Sequence, residues 1–259
     1  ASGIPGVVLR RHGTVVPHTG RGVFTGFLDM PTPAWDLLPL KRYRLPLVNE
    51  PYVLIETSRG CPYSCDFCVV PLHHGHKFRE RSAKVLVDEI AQAKRDHGIR
   101  FFYLWGDTVT LNAKTFSQFC DELIARDLNI RWLANARADN LVDLEFVKRL
   151  ARSGCWMLSM GIESESDAMR KDMMKRLERQ KIQVAFNNLR EAGIKSFAFF
   201  IYGYPGETPE SMEQNTRYAI ELDADFANFY PAVPYPGTAL YERAKREGRL
   251  TTDDWTRME

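Results

Sequence analysis

Nothing in this chain of 259 residues stays apolar for long. The longest stretches, such as Phe197 to Tyr202, fall far short of the ~20 residues that cross a bilayer. Neither sign of charge dominates: 35 Lys and Arg stand against 33 Asp and Glu. That balance gives no broad basic field for nucleic acid and none for a membrane surface. No charged-then-apolar leader opens the sequence, and low-complexity tracts and short repeats are missing. Cysteine is scarce, with five residues in all, too few for a disulfide framework in a chain of this size. These absences point to a globular protein with one sizeable core, expected in a reducing cytoplasm.

Three of the five cysteines stand close together, in Gly60-Cys61-Pro62-Tyr63-Ser64-Cys65-Asp66-Phe67-Cys68, directly after the β-type run Tyr52–Glu56. Without a secretion signal, such crowding points to metal or redox chemistry. A closed iron–sulfur cubane takes four thiolates, so three leave one iron open to chelate a small molecule. The competing reading is a zinc site in which His73, His74 or His76 joins the three cysteines. Position bears against zinc, which usually staples small loop-rich modules. This triplet follows the first strand of a long strand–helix series, where α/β active sites lie. Cys120 and Cys155 read as buried small hydrophobes.

Strands are expected at Tyr52–Glu56, Phe101–Trp105, Ile130–Leu133, Trp156–Gly161, Ser196–Tyr202 and Asp225–Tyr230. Helical spacings lie between them: Leu86, Ile90 and Ala93 after a Ser82 cap; Phe116, Phe119, Leu123 and Ile124 after an Asn112 cap; then Leu144, Val147 and Leu150. Asp167 to Glu191 holds at least one helix, with Ile182, Phe186 and Leu189 on its apolar side. Thr208 and Pro209 open another, and a last one lies near Thr238–Glu247. Six such units imply parallel strands with right-handed crossovers, in a doubly wound sheet or a partial barrel. Ser2–Lys41, rich in Gly, Pro, Thr and Arg, reads as a β-hairpin and a proline-punctuated linker.

The cysteine spacing, with the aromatic Phe67 just before the third cysteine, resembles the signature of the radical S-adenosylmethionine superfamily, and the likeness runs from about Ala34 to Leu250. It implies an α/β fold: a partial (β/α)6 TIM-like barrel of parallel strands with helices outside. It also implies a [4Fe-4S] cluster on Cys61, Cys65 and Cys68, with S-adenosylmethionine on the open iron and cleaved to a 5′-deoxyadenosyl radical. A small-molecule substrate and an electron donor such as flavodoxin or ferredoxin are the implied partners. Phe67 then belongs to the cofactor site. In Trp105-Gly106-Asp107-Thr108, Gly106 and Asp107 replace a Gly-Gly-Glu type motif, Asp107 accepting from the methionyl ammonium. In Gly161-Ile162-Glu163-Ser164, Glu163 holds the ribose hydroxyls or the methionyl end. Lys175 and Arg137 are candidates for the methionyl carboxylate. Tyr202 and Gly203 after the fifth strand, with Val233 and Pro234 after the sixth, line the barrel mouth toward adenine. The three histidines belong to the loop over the cluster.

The segments Gly161–Ser166, Gly203–Thr208 and Pro234–Thr238, with Pro33-Ala34-Trp35-Asp36-Leu37-Leu38 ahead of the cysteines, look most like the cobalamin-associated subclass. That subclass includes methyltransferases and oxidative cyclases resembling the anaerobic magnesium-protoporphyrin monomethyl ester cyclase. No Asp-x-His-x-x-Gly cobalamin motif is present. The expected divisions are therefore 1–50, a hairpin and linker resembling the tail of a cobalamin-type domain; 51–250, the barrel; and 251–259, the start of a truncated C-terminal segment. Cobalamin is expected in the full-length protein and not on this chain. A non-cobalamin radical enzyme such as a methylthiotransferase is the alternative enzyme class, and a structural zinc module the non-enzyme one.

Overall fold

The computed structural model describes residues 4–16, 30–250 and 252. Most of the expected 251–259 segment, and residues 17–29 of the expected hairpin-and-linker region, lie outside them. The chain divides into two compact units, Ala1–Met30 and Pro31–Glu259. In the first, β1 (Leu9–Arg11) and β2 (Thr14–Val16) pair antiparallel. His12 and Gly13 between them both take positive φ, 48° and 82°, as a two-residue hairpin turn requires.

In the second unit β3 (Arg44–Leu45) and β4 (Glu50–Glu56) form a short antiparallel pair. The cysteine segment is framed by β5 (Ser58–Arg59), α1 (Val70–His73) and β6 (Arg79–Glu80). There follow α2 (Ala83–His97), β7 (Phe101–Trp105), α3 (Ala113–Ala125), β8 (Arg131–Ala136), α4 (Leu144–Arg152) and β9 (Cys155–Glu163). The unit closes with α5 (Asp167–Asp172), α6 (Arg179–Glu191), β10 (Lys195–Tyr202), α7 (Pro209–Glu221), β11 (Phe226–Pro231) and α8 (Ala239–Arg246). The main sheet runs β11-β10-β9-β8-β7-β4-β3, parallel throughout except for β3 at the edge. Strand order decides between the two architectures open to the sequence. A doubly wound sheet reverses order at a switch point, whereas here each strand lies beside the next, and the sheet curls into a half-barrel.

The caps form as their sequences dictate. Ser82 accepts from Val85 N–H and Asn112 from Thr115 N–H, both at 3.4 Å, while Thr208 and Ser211 make a reciprocal box with Pro209 at the first helical position. One reading needs correction: Ile124 is exposed, because the buried stripe of α3 is Phe116, Phe119, Cys120 and Leu123 and the next residue turns away from it. The segment Asp167–Glu191 holds two helices, parted by the loop around Lys175. Among the described residues no helix is long and apolar enough to cross a membrane.

Alternation along the strands assigns the two faces. Ile55, Leu104, Trp132, Leu158, Ile162 and Phe200 are buried in one core with helix residues such as Ile90, Phe119, Leu150 and Phe186. Each such side chain contributes roughly 1.5–3 kcal/mol on burial. The alternate residues Phe101, Leu133 and Met157, with Tyr52, Phe197 and Phe226, form a separate floor on the concave side. Higher on that face, toward the strand C-terminal ends, Asn135, Ser159 and Gly161 are too small or polar to close a core, and a cavity remains.

Candidate active site

The cysteine loop is tied to the sheet at both limbs. Gly60 turns with φ 90°, and a Cβ there would collide with the Lys77 carbonyl oxygen, so the approach needs glycine. Its N–H donates to Asp107 Oδ2 at 2.7 Å, and His74 Nδ1 lies 2.9 Å from the same oxygen. Between those anchors, Cys68 N–H donates to Cys65 O at 3.1 Å. All three thiols line one cavity of about 230 Å³, together with Tyr63, Phe67, Asp107, Arg137, Glu163 and Lys175.

Burial pushes the Cys65 thiol up and the Cys68 thiol up to about 11, so in the metal-free chain both are held as thiols at neutral pH. Alkylation follows the thiolate fraction, which for Cys68 is about 10⁻³ at pH 8 and grows about tenfold per pH unit toward 11. Peptide mass spectrometry after iodoacetamide pulses should show Cys68 labelling still rising between pH 8 and 10. A plateau by pH 9 would mean that the loop leaves this thiol in water.

A buried ion pair sits beside the thiols, in a strained setting. Glu163 ends β9 with φ 67°, and Met174 and Arg176, on either side of Lys175, have φ 56° and 50°. Left-handed residues other than glycine cost on the order of 1–3 kcal/mol each and gather at functional sites. Lys175 Nζ donates to Glu163 Oε1 at 2.7 Å, their side chains 12% and 9% exposed. Gly161 makes room for the pair: a Cβ there would collide with Glu163 Oε1 and come within 2.8 Å of Lys175 Nζ. Burial works to lower the Lys175 pKa, but Glu163 and Cys65 outweigh it, and the net shift is upward. Arg137 Nη2 donates to the Lys175 carbonyl at 2.5 Å, and its guanidinium lies 3.9 Å from the Tyr63 ring centre. Fully buried Arg170 staples the same loop, donating from Nε to Leu177 O at 2.5 Å and from Nη1 to Ser164 O.

A second cavity of about 700 Å³ shares Phe67, Gly161, Glu163 and Phe199 with the first; its other walls include Ile201, Tyr230, Ala232, Val233 and Tyr235. Thus Cys61, Cys65, Cys68, Phe67, Asp107, Arg137, Glu163 and Lys175 meet at the first cavity, and Val233 at the second. Gly106 lies against Thr57 and Ser58 and lines neither. Tyr202 shares a face with Ala198 and Phe200 and donates its hydroxyl outward to Met212 O of α7 at 2.9 Å. Gly203 spends its N–H on Glu207 at 2.5 Å, and Pro234 lines neither cavity although Val233 and Tyr235 beside it do. His74 reaches Asp107, while His73 ends α1. Asn135, Ser159 and Phe199 escape motif reading. Their signal is alternation, each standing two residues from a site or floor residue on its own strand.

The fold and site therefore define a class: an α/β half-barrel carrying three thiols beside two carboxylates and two cations at the C-terminal ends of its strands. A model of the Radical SAM superfamily matches residues 55–219, and the chain belongs to that superfamily. In sequence it is 32% identical to an uncharacterized methyltransferase of Pyrococcus horikoshii, over 98% of this chain and 54% of the relative. It is 31% identical to the anaerobic magnesium-protoporphyrin IX monomethyl ester cyclase of Cereibacter sphaeroides, over 84% of this chain and 36% of that one. The fold is shared with the radical S-adenosylmethionine methyltransferase TsrM from Kitasatospora setae, solved with cobalamin and a [4Fe-4S] cluster. There the TM-score is 0.70 at 22% identity, covering 76% of this chain and 40% of that one. The chain spans about half the length, or less, of these relatives. Membership implies a [4Fe-4S] cluster and S-adenosylmethionine.

Proposed function

We propose that this chain is the radical-generating core of a methyltransferase or oxidative cyclase acting on a small molecule, with its cluster on Cys61, Cys65 and Cys68. One observation carries the reading: three thiols, two carboxylates and two cations line a single cavity that opens into a larger apolar one. The donor set fits the cluster. Its half-buried thiols need a compensating cation to ionise, and a cubane places each thiolate on its own iron. That spread matches a loop in which, among the described residues, no three His, Cys, Asp or Glu side chains are grouped for a single ion.

The charges suit the zwitterionic end of S-adenosylmethionine. Asp107 Oδ2 already accepts twice, and a carboxylate with about four acceptor positions keeps capacity for an ammonium. Lys175 and Arg137 face the carboxylate, and Glu163, paired with Lys175, accepts from ribose hydroxyls. When bound, the cluster supplies one electron to the sulfonium and so a 5′-deoxyadenosyl radical. Phe67, Phe199 and the apolar walls keep water away from it, and the larger cavity receives the reacting group. A flavodoxin or ferredoxin is the electron source. Cobalamin, which TsrM holds, we place outside these residues: the sequence lacks its motif, and the described residues form one large sheet.

The test is chromatographic. Reconstituted chain and dithionite should release 5′-deoxyadenosine from S-adenosylmethionine, and dialysis should show no micromolar binding of hydroxocobalamin. An intact cluster that yields no 5′-deoxyadenosine removes the reading. Tight cobalamin binding moves the corrinoid site into the barrel.

A further inference from the structure

Asp66 stands in the middle of Cys65-Asp66-Phe67-Cys68 and takes no part in the charge array around Glu163. Its hydrogen-bonding groups go instead to three elements far away along the chain. Its N–H donates to Met173 O at 3.1 Å, just past α5, and its carbonyl accepts from Leu240 N–H of α8 at 2.9 Å. Its Oδ2 accepts from the Tyr204 hydroxyl, in the β10–α7 connection, at 2.6 Å. Tyr204 is 1% exposed, and Arg243 Nη1 of α8 lies 3.4 Å from its oxygen while donating to Asp172 Oδ2 at 2.7 Å. Met173, Tyr204 and Leu240 form a small apolar cluster of their own, with Phe67 packed against it. The remaining oxygen, Asp66 Oδ1, is buried with no partner.

This arrangement exceeds what a surface loop needs. A phenol donating to a carboxylate makes a charge-assisted bond of the short, strong kind. It is placed where its loss would leave both carboxylate oxygens buried and unpaired. Asp66 directly follows Cys65 and stands two residues before Cys68, two of the thiols assigned to the cluster. A loop ordered beforehand loses less conformational freedom when it closes on a ligand, and groups just behind metal ligands tune retention and potential.

We infer that Asp66, Tyr204 and Arg243 form a clasp that positions the cysteine loop and thereby sets how firmly the cluster is kept. Asp66 and Tyr204 are positioning residues; neither lines either cavity. The inference rests on the cluster reading above. It makes α8, otherwise an outer helix of the barrel, a determinant of cofactor retention.

The experiment compares wild type, Tyr204→Phe and Arg243→Met. Three readouts are taken: iron per chain after anaerobic reconstitution, the rate of absorbance loss under a chelator, and amide exchange of residues 65–68 in the metal-free chain. Tyr204→Phe should load iron but lose it about tenfold faster or more, the equivalent of one hydrogen bond to a charged group. Its Asp66 amide should exchange faster. Arg243→Met, which leaves the Tyr204–Asp66 bond in place, should show the same changes at about twofold or more, and it carries the test if Tyr204→Phe does not fold. Loss rates and exchange equal to wild type in the folded variants overturn the clasp while leaving the cluster reading intact. A wild-type chain that takes up no iron overturns both.

Discussion

Replacing any one of Cys61, Cys65 or Cys68 with alanine abolishes stable iron binding, against about four irons per reconstituted wild-type chain. The effect is all-or-none because, in the proposed site, three thiolates are the whole protein ligand set. With one gone, two irons lack a protein ligand, and binding free energy on the scale of metal–thiolate sites goes with it. The controls are Cys120→Ala and Cys155→Ala. Both cysteines are buried against the convex core, and burial pushes the Cys120 thiol up to about 12. Those variants should keep their iron and lose only packing. Iron and acid-labile sulfide analysis reads the result directly. Zinc that survives reconstitution in place of iron would restore the zinc alternative.

Lys175→Met should destabilise the folded chain by about 3–5 kcal/mol, because it leaves the Glu163 carboxylate buried and unpaired. Glu163→Gln strands the ammonium in the same way. The double variant Glu163→Gln/Lys175→Met should recover much of the loss, since a neutral pair carries no uncompensated charge. Denaturant midpoints of the metal-free chains give the cycle, and strictly additive losses would show that the pair is not coupled. The pH dependence has a definite sign. Lys175 is raised in the folded state, so its contribution is complete below the unfolded lysine value of about 10.4. It is lost as pH rises through the higher folded value. Wild type should therefore lose more stability than Lys175→Met above pH ~10. Either single variant should also weaken S-adenosylmethionine binding about tenfold or more. Unchanged affinity in both would move the cofactor site elsewhere.

Much of the half-barrel was legible because its signals are local. A cap is written in four consecutive residues, as in Ser82 to Val85 or Thr208 to Ser211, and a strand such as Phe101–Trp105 carries its alternation within itself. The cysteine triplet is equally local. The β5–β6 pair that closes the cysteine loop was not legible, since two-residue strands are too short to show a period. Nor was the departure of Tyr202 from the mouth: motif position drew it in, but the face shared with Ala198 and Phe200 sends it to α7.

The sequence by itself determined most of the longer strands and helices, and it set Cys61, Cys65 and Cys68 within eight residues of one another. Both are local, set within a few neighbouring residues. Tertiary structure alone decided that the sheet curls without reversing, that Lys175 in the loop between α5 and α6 meets Glu163, and that Asp66 is gripped by Tyr204 and α8. Lys175 folds back across α5 onto a residue 12 positions earlier, and Asp66 meets a residue 138 positions later. Those contacts exist only once the strands have taken their order and brought their C-terminal ends to one mouth.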